Sequence, residues 1–313
     1  MRVLFISSAN RNGISPIVKS QGKSLEKIGI TVEYFGIKGK GIRGYWQNIR
    51  PLRNHLRQQS YDIVHAHYSL SAFCASMAGA QPLVVSLMGS DVKANSIYCL
   101  LIKLFVFFYQ WKAIIVKSED MRLSLGIKKA FVIPNGVDME VFRPMDKLAC
   151  QQQLSWDSNK KHILFPANPK RYEKNYALAE QALRELNDTT IQIHCFENIP
   201  HAQTPIWYNA ADVVLLTSLW EGSPNAIKEA MACNCPVVAT DVGDVAWLFG
   251  NEPGYFLTDF SPETCAIQIE KALAFSKEKG RTRGRQRLIE LGLESSEVAK
   301  KIINLYKEVI LNK

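Results

Sequence analysis

The sequence predicts an α/β fold of two successive units, each a parallel sheet covered by helices, and three features predict it. Short apolar runs alternate with helix-length amphipathic segments from the first residues onward. Midway, Pro134-Asn135-Gly136-Val137-Asp138 and Phe142-Arg143-Pro144 break the series with two prolines and an Asn-Gly turn. Beyond the break the alternation starts again. A 313-residue chain that is 47% hydrophobic has the length and apolar content for about two domains.

In the first half, Arg2–Ser7 reads as a buried strand, followed by a helical pattern over Ile17–Lys27, a strand at Thr31–Phe35, a basic helix near Tyr45–Gln59 and a strand at Asp62–Ala66. The rhythm continues with Leu83–Leu87, an apolar helix from about Ser96 to Trp111, Ala113–Lys117 and Ala130–Ile133. Continuous apolar strands of this kind are buried on both faces, as in parallel sheets. The first domain is placed at 1–145. A polar helix at Asp146–Gln153 opens the second, 146–294, which continues with His162–Pro166, a helix at Asn175–Leu186, Thr190–Cys195, Val213–Leu216, a helix at Pro224–Cys233, Pro236–Thr240 and Gly254–Leu257. The basic run Lys277–Arg287 reads as a solvated helical stretch. The tail, about 295–313, carries Val298, Ile302, Leu305 and Val309 at helical spacing and needs a surface to pack on.

Composition narrows the function classes. Seven cysteines show no CxxC pair and no zinc spacing, as expected of buried thiols in a reducing compartment. The N-terminus runs straight into a strand pattern, and the stretch Ile97–Trp111 is interrupted by Lys103 and is shorter than the ~20 apolar residues of a spanning helix. A cytoplasmic protein is expected. Of the formal net charge of +9, residues 1–145 carry +11 and the remainder −2. The first domain therefore faces an anionic partner, such as phospholipid, a lipid diphosphate or nucleic acid, or is a solvated basic surface. No zinc module or aromatic-rich RNA motif accompanies the charge, which disfavours nucleic acid. Strand one lacks a following GxGxxG, which disfavours dehydrogenase chemistry.

The chemistry concentrates in the second half. The strand Asp212–Thr217 leads through Ser218-Leu219-Trp220-Glu221-Gly222 to Ser223 and Pro224, read as helix N-cap and first-turn residue. Beyond the carboxyl end of a parallel strand, a helix N-terminus offers free N–H groups and a positive dipole end to a diphosphate. Gly222 permits close backbone approach, and Glu221 and Glu229 supply acceptors for hydroxyl groups.

The string Glu221-Gly-Ser-Pro-Asn, then Lys228-Glu-Ala-Met-Ala and Pro236-Val-Val-Ala-Thr-Asp-Val-Gly-Asp244, resembles the retaining glycosyltransferases of family 4. Segments in family order extend the resemblance over nearly the whole chain: Asp62-Ile-Val-His-Ala-His67, Gly89-Ser-Asp-Val92, Val132-Ile-Pro-Asn-Gly-Val-Asp138, Phe142-Arg-Pro144 and Glu173-Lys-Asn175. It implies a GT-B fold: two Rossmann-like domains with a cleft between them, an N-terminal acceptor domain, a C-terminal nucleotide-sugar domain and a last helix crossing back to the first. Glu229 would hold the ribose and Glu221 the sugar ring, while Gly222, Ser223, Pro224 and Asn225 would lie along the sugar-phosphate. Lys174 would stabilise the departing diphosphate. Gly13 would approach the sugar-phosphate, and His67, Met88 and Asp91 are candidate sugar or acceptor contacts. No metal site and no cofactor is implied, the UDP- or GDP-linked sugar being a substrate.

Two departures bear on specificity. Where the family has Gly-Arg before its lysine, this chain has Asn168-Pro169-Lys170-Arg171; Arg171 suits bidentate phosphate contact, and Lys170 is the alternative. Met88 stands where many members have a sugar-binding histidine, which permits a less polar, 6-deoxy donor. The segment between Ile193 and Asn209 is also too short for the usual strand and helix.

Arg43, Arg50, Arg53 and Arg57, interleaved with Tyr45, Trp46, Ile49 and Leu56, suit a membrane interface; the apolar helix at 97–111 reads equally as interface or core. Together these imply a peripheral enzyme on the cytoplasmic face of the membrane, acting on a lipid-linked or saccharide acceptor in surface-polysaccharide assembly. A sugar-nucleotide epimerase and a catalytically silent interaction protein of the same fold are the alternatives.

Overall fold

The computed structural model describes residues 1–10, 13–39, 41–93 and 96–312, with the side chains of Lys93 and Ser96 excepted. Two compact units emerge, one formed by Met1–Gly136 with Ser295–Lys313 and the other by Val137–Glu294.

Unit one contains β1 (Arg2–Ser8), α1 (Pro16–Glu26), β2 (Thr31–Ile37), α2 (Gly41–Gln47), α3 (Ile49–Gln58), β3 (Ile63–His67), α4 (Ser69–Ala78), β4 (Leu83–Ser86), α5 (Ser90–Lys93), α6 (Ser96–Tyr109), β5 (Ala113–Val116), α7 (Glu119–Leu125) and β6 (Phe131–Val132). Its strands pair in parallel in the order β2-β1-β3-β4-β5-β6. Val3, Leu4, Phe5 and Ile6 of β1 are all fully buried, as the unbroken apolar run requires of a strand covered on both faces.

Unit two contains α8 (Lys147–Gln153), β7 (Lys161–Phe165), α9 (Tyr176–Leu186), β8 (Ile191–Cys195), α10 (Thr204–Ala210), β9 (Val213–Leu216), α11 (Asn225–Ala232), β10 (Val237–Thr240), α12 (Val245–Phe249), β11 (Tyr255–Thr258), α13 (Pro262–Lys279) and α14 (Gly284–Glu290). Its sheet is parallel in the order β11-β10-β9-β7-β8. The last helix, α15 (Ser295–Leu311), belongs to unit one. Its stripe of Val298, Ile302, Leu305 and Val309 packs with Val3 and Phe5 of β1 and Ile63 of β3. This is the surface that its spacing demanded, and each such buried aliphatic contributes about 1.5–3 kcal/mol.

Four sequence expectations need correction. The boundary falls at Gly136/Val137 rather than after residue 145, because Val137 donates to the Leu293 carbonyl at 2.9 Å and Met139 and Phe142 enter the second unit's core. The basic helix expected over Tyr45–Gln59 is two helices that meet at Asn48, whose side-chain amide donates to the Lys38 and Gly44 carbonyls at 2.7 Å. Between Ile193 and Asn209 there is room for the short helix α10, though for no strand. The arginines of Lys277–Arg287 are not simply solvated: Arg285 donates to the carbonyls of Phe142 and Met139, and Arg287 to those of Trp247 and Leu248.

The apolar helix of unit one has one buried and one exposed face. Ile102 of α6 is fully buried, with Tyr98, Phe105 and Val106 packed on the same core. Ile97, Leu100, Leu104, Phe107 and Phe108 form an opposite, exposed apolar face.

Candidate functional site

In unit two, three loops at the carboxyl ends of β7, β9 and β10 are tied to one another. Thr217, just past β9, donates its hydroxyl to the carbonyls of Lys174 and Asn175 at 3.0 and 2.9 Å, and the Leu219 N–H donates to the Glu173 carbonyl at 2.9 Å. From the β10 side, Thr240 Oγ1 donates to the Ser218 carbonyl at 2.7 Å. Gly243 brings the backbones into contact: its φ is +65°, and a Cβ there would lie 2.8 Å from the Gly222 carbonyl oxygen and 2.9 Å from that of Glu221. No side chain fits at this position.

This scaffold places Lys174 against Glu221. The two form an ion pair, and their side chains are only 12% and 15% exposed. Ser218 Oγ donates to the same carboxylate oxygen at 2.8 Å. Glu221 therefore stands fixed beside the start of α11, whose first N–H groups have no partner within the helix. Glu229, on α11, accepts from the Tyr208 hydroxyl at 2.9 Å and is bonded to His201 Nε2 at 3.1 Å. That hydrogen bond raises the His201 pKa against the opposing effect of burial.

Ser223 and Pro224 are one position out of the expected register. Pro224 occupies the N-cap of α11, and the Ser223 hydroxyl, expected to cap the helix, instead accepts from the buried Lys228 ammonium at 3.0 Å. Gly222 and Ser223 are buried, while Asn225 is half-buried at the first helical position. Arg171 is not drawn onto the Lys174–Glu221 pair: its Nε and Nη2 bond Glu173 at 2.8 and 2.5 Å. Lys170 is exposed.

Sequence reasoning missed Tyr208, His201, Ser218, Lys228 and Asp244. Lys228 and Asp244 both lie inside the quoted motif strings, but a helical lysine and a loop aspartate read as solvated until burial is known.

The unit-one candidates gather at the carboxyl ends of their own sheet. Gly13 has a φ of +85° with open space where a Cβ would stand, so its conformation rather than crowding explains the glycine; its neighbours Arg11 and Asn12 lie outside the described residues. His67 is buried with neither ring nitrogen hydrogen-bonded among the described residues, stacked on His65 at 4.4 Å between ring centroids. Burial, and secondarily the charge of Lys117, depress its pKa to about 3. Met88 is half-buried, and its backbone N–H, with those of Gly89 and Ser69, donates to Asp91 at 2.9–3.0 Å. Asp91 is fully buried, and its carboxylate clasps these three backbone donors. Burial pushes its pKa up to about 6 despite those bonds.

Among the described residues, no group of three His, Cys, Asp or Glu is placed to hold a metal ion, and no helix is long and apolar enough to cross a membrane.

Two parallel sheets of six and five strands define a protein of the GT-B class. Residues 11–141 match the family model described as Glycosyltransferase Family 4, and residues 167–274 match that of Glycosyl transferases group 1. The chain belongs to this glycosyltransferase family. A protein of Bacillus subtilis (strain 168) that carries the name of a teichuronic acid biosynthesis glycosyltransferase is 25% identical over 67% of this chain, which spans 61% of that protein's length. The UDP-Gal:alpha-D-GlcNAc-diphosphoundecaprenol alpha-1,3-galactosyltransferase of Escherichia coli is 24% identical over 82% of this chain and 78% of its own. Among solved structures, the sucrose-phosphate synthase of Thermosynechococcus elongatus covers all of both chains with a TM-score of 0.82 at 16% identity. The Anabaena protein HepE with UDP and glucose gives 0.75 at 18% identity, over 97% of this chain and 98% of its own.

Proposed function

We propose that this protein transfers a sugar, with retention of anomeric configuration, from a UDP- or GDP-linked donor to a lipid-linked or saccharide acceptor in cell-surface polysaccharide assembly. The observation that carries the reading is the Lys174–Glu221 ion pair, little exposed and set beside the N-terminus of α11. An ammonium there meets the diphosphate together with the helix's free N–H groups. The relatives named for teichuronic acid synthesis and for galactosyl transfer to a diphosphoundecaprenol-linked sugar support the acceptor class.

In this reading the diphosphate takes the Lys174 ammonium, with Arg171 released from Glu173 as a second cation. Glu229 receives the ribose hydroxyls by exchanging its bonds to Tyr208 and His201. Glu221, freed from Lys174, accepts from the sugar ring. The acceptor hydroxyl then attacks the anomeric carbon on the face from which the diphosphate departs. The bond from that carbon to the phosphate oxygen breaks, and the leaving phosphate takes the hydroxyl proton, giving glycosylated acceptor and nucleoside diphosphate. The protein supplies position and stabilisation of the growing negative charge, without cofactor or metal.

In this reading the exposed apolar face of α6 and the basic first unit would meet the cytoplasmic surface of an anionic bilayer, where such an acceptor resides. The test is incubation of the purified protein with a panel of nucleotide sugars and membrane lipid extract, reading product masses. A lipid-linked product heavier by one sugar is expected. Altered nucleotide sugar formed without acceptor would replace the reading with an epimerase, and no reaction with any donor would leave a silent interaction protein.

A further inference from the structure

Beneath the donor loop lie two charged groups to which the proposed reaction gives no part. Lys228 sits on α11 only 1% exposed, with its ammonium 3.0 Å from Ser223 Oγ. Asp244 occupies the N-cap position of α12 without capping it, is 8% exposed, and neither of its oxygens makes a hydrogen bond among the described residues. An isolated buried charge of either kind is costly, and the two reduce that cost for each other. Their mutual attraction is felt at both ends: Asp244 is the foremost influence holding the Lys228 pKa up against burial, which still lowers it to about 8. Lys228 likewise opposes the burial that raises Asp244 to about 6.

The position of the pair is what matters. Lys228 donates to Ser223 from the helix side, and Asp244 directly follows Gly243, where an added Cβ would lie 2.9 and 2.8 Å from the carbonyl oxygens of Glu221 and Gly222. The loops that follow β9 and β10 thus approach each other where opposite buried charges stand on α11 and at the head of α12. We propose that Lys228 and Asp244 are a positioning pair that fixes the Glu221–Ser223 segment in the form that receives the nucleoside diphosphate. The ligand class rests on the donor-site reading above; the ordering of the loop does not.

Hydrogen–deuterium exchange on the full-length protein, wild type, Lys228→Met, Asp244→Asn and the double variant, tests both statements. In each variant the amides of residues 218–223 are expected to exchange about tenfold faster or more, with the strands of unit one unchanged. UDP and GDP affinity, measured by calorimetry, should fall in parallel, and Lys228→Arg should restore part of both. The double variant carries no lone buried charge, so it reports the loop even where a single variant fails to fold. Wild-type exchange in a folded double variant would overturn the proposal. If neither UDP nor GDP binds the wild-type protein or slows exchange at 218–223, the donor-site reading fails, while the exchange rates of the variants still decide the pair.

Discussion

Lys174 and Glu221 are each other's counter-ion, and the Ser218 hydroxyl holds the same carboxylate at 2.8 Å. The pair keeps two charges in place at low exposure, and under the proposed reaction it opens so that both meet the donor. Lys174→Ala is expected to lower nucleotide-sugar turnover by about 10²–10³-fold, the scale of a lost electrostatic contact to a departing charge. Circular dichroism should show an intact fold. Turnover at the wild-type rate would remove Lys174 from the reaction.

Tyr208 is fully buried, and its hydroxyl donates to Glu229 at 2.9 Å. Hydrogen bonds to a charged acceptor contribute about 1.5–3 kcal/mol. Tyr208→Phe should lose that amount in urea unfolding, while Glu229→Ala should weaken nucleotide binding about tenfold or more. An unchanged urea midpoint in Tyr208→Phe would show that water replaces the tyrosine at no cost.

The fold was largely legible because unbroken apolar strands and a heptad-like tail stripe leave few alternatives: Val3–Ile6 and Val298–Val309 bury as their patterns require. The helix α4 escaped notice, since its fully buried small residues, Ser71, Ala72, Cys74 and Ala75, carry no amphipathic period. At the candidate site, motif positions singled out Lys174, Glu221 and Glu229, but the partners of the side chains stayed hidden. Nothing in a sequence says that Tyr208 reaches Glu229, that Arg171 turns to Glu173, or that Lys228 points inward to Ser223. The three backbone donors that Asp91 gathers were equally hidden.

His67 gives stability a pH dependence whose direction follows from its burial. The folded protein resists protonating this imidazole until about pH 3, whereas the unfolded chain takes up the proton near 6.5. Between these values the unfolded state binds more protons, so the stabilisation is present above pH ~6.5 and is lost as pH falls toward 3. His67→Phe should flatten the fall in unfolding free energy below pH ~6 by up to about 1.4 kcal/mol per pH unit, the slope of one proton. Asp91, retained in both proteins, drops out of the difference. Parallel pH profiles for the two proteins would mean that His67 titrates alike in both states.

The face of α6 offers the most direct physical test of where the protein works. Phe107 and Phe108 are 76% and 71% exposed, and Ile97, Leu100 and Leu104 continue the apolar strip along the helix. Left in water such a strip gains nothing, and single exposed apolar residues are ordinary while a contiguous row is not. A bilayer surface would cover it, and exposed Arg43, Arg50 and Arg57 in the same unit would meet anionic headgroups at about 1 kcal/mol each. Sedimentation with vesicles of neutral and anionic phospholipid should therefore pellet the protein with the anionic vesicles, more weakly as salt rises. Phe107→Glu with Phe108→Glu should cut that binding by about tenfold or more, since burying two carboxylates costs far more than leaving them in water. Because both side chains point away from the core, the variant should fold as the parent does. Equal pelleting of parent and variant would assign membrane attraction to charge alone and leave the strip to another partner.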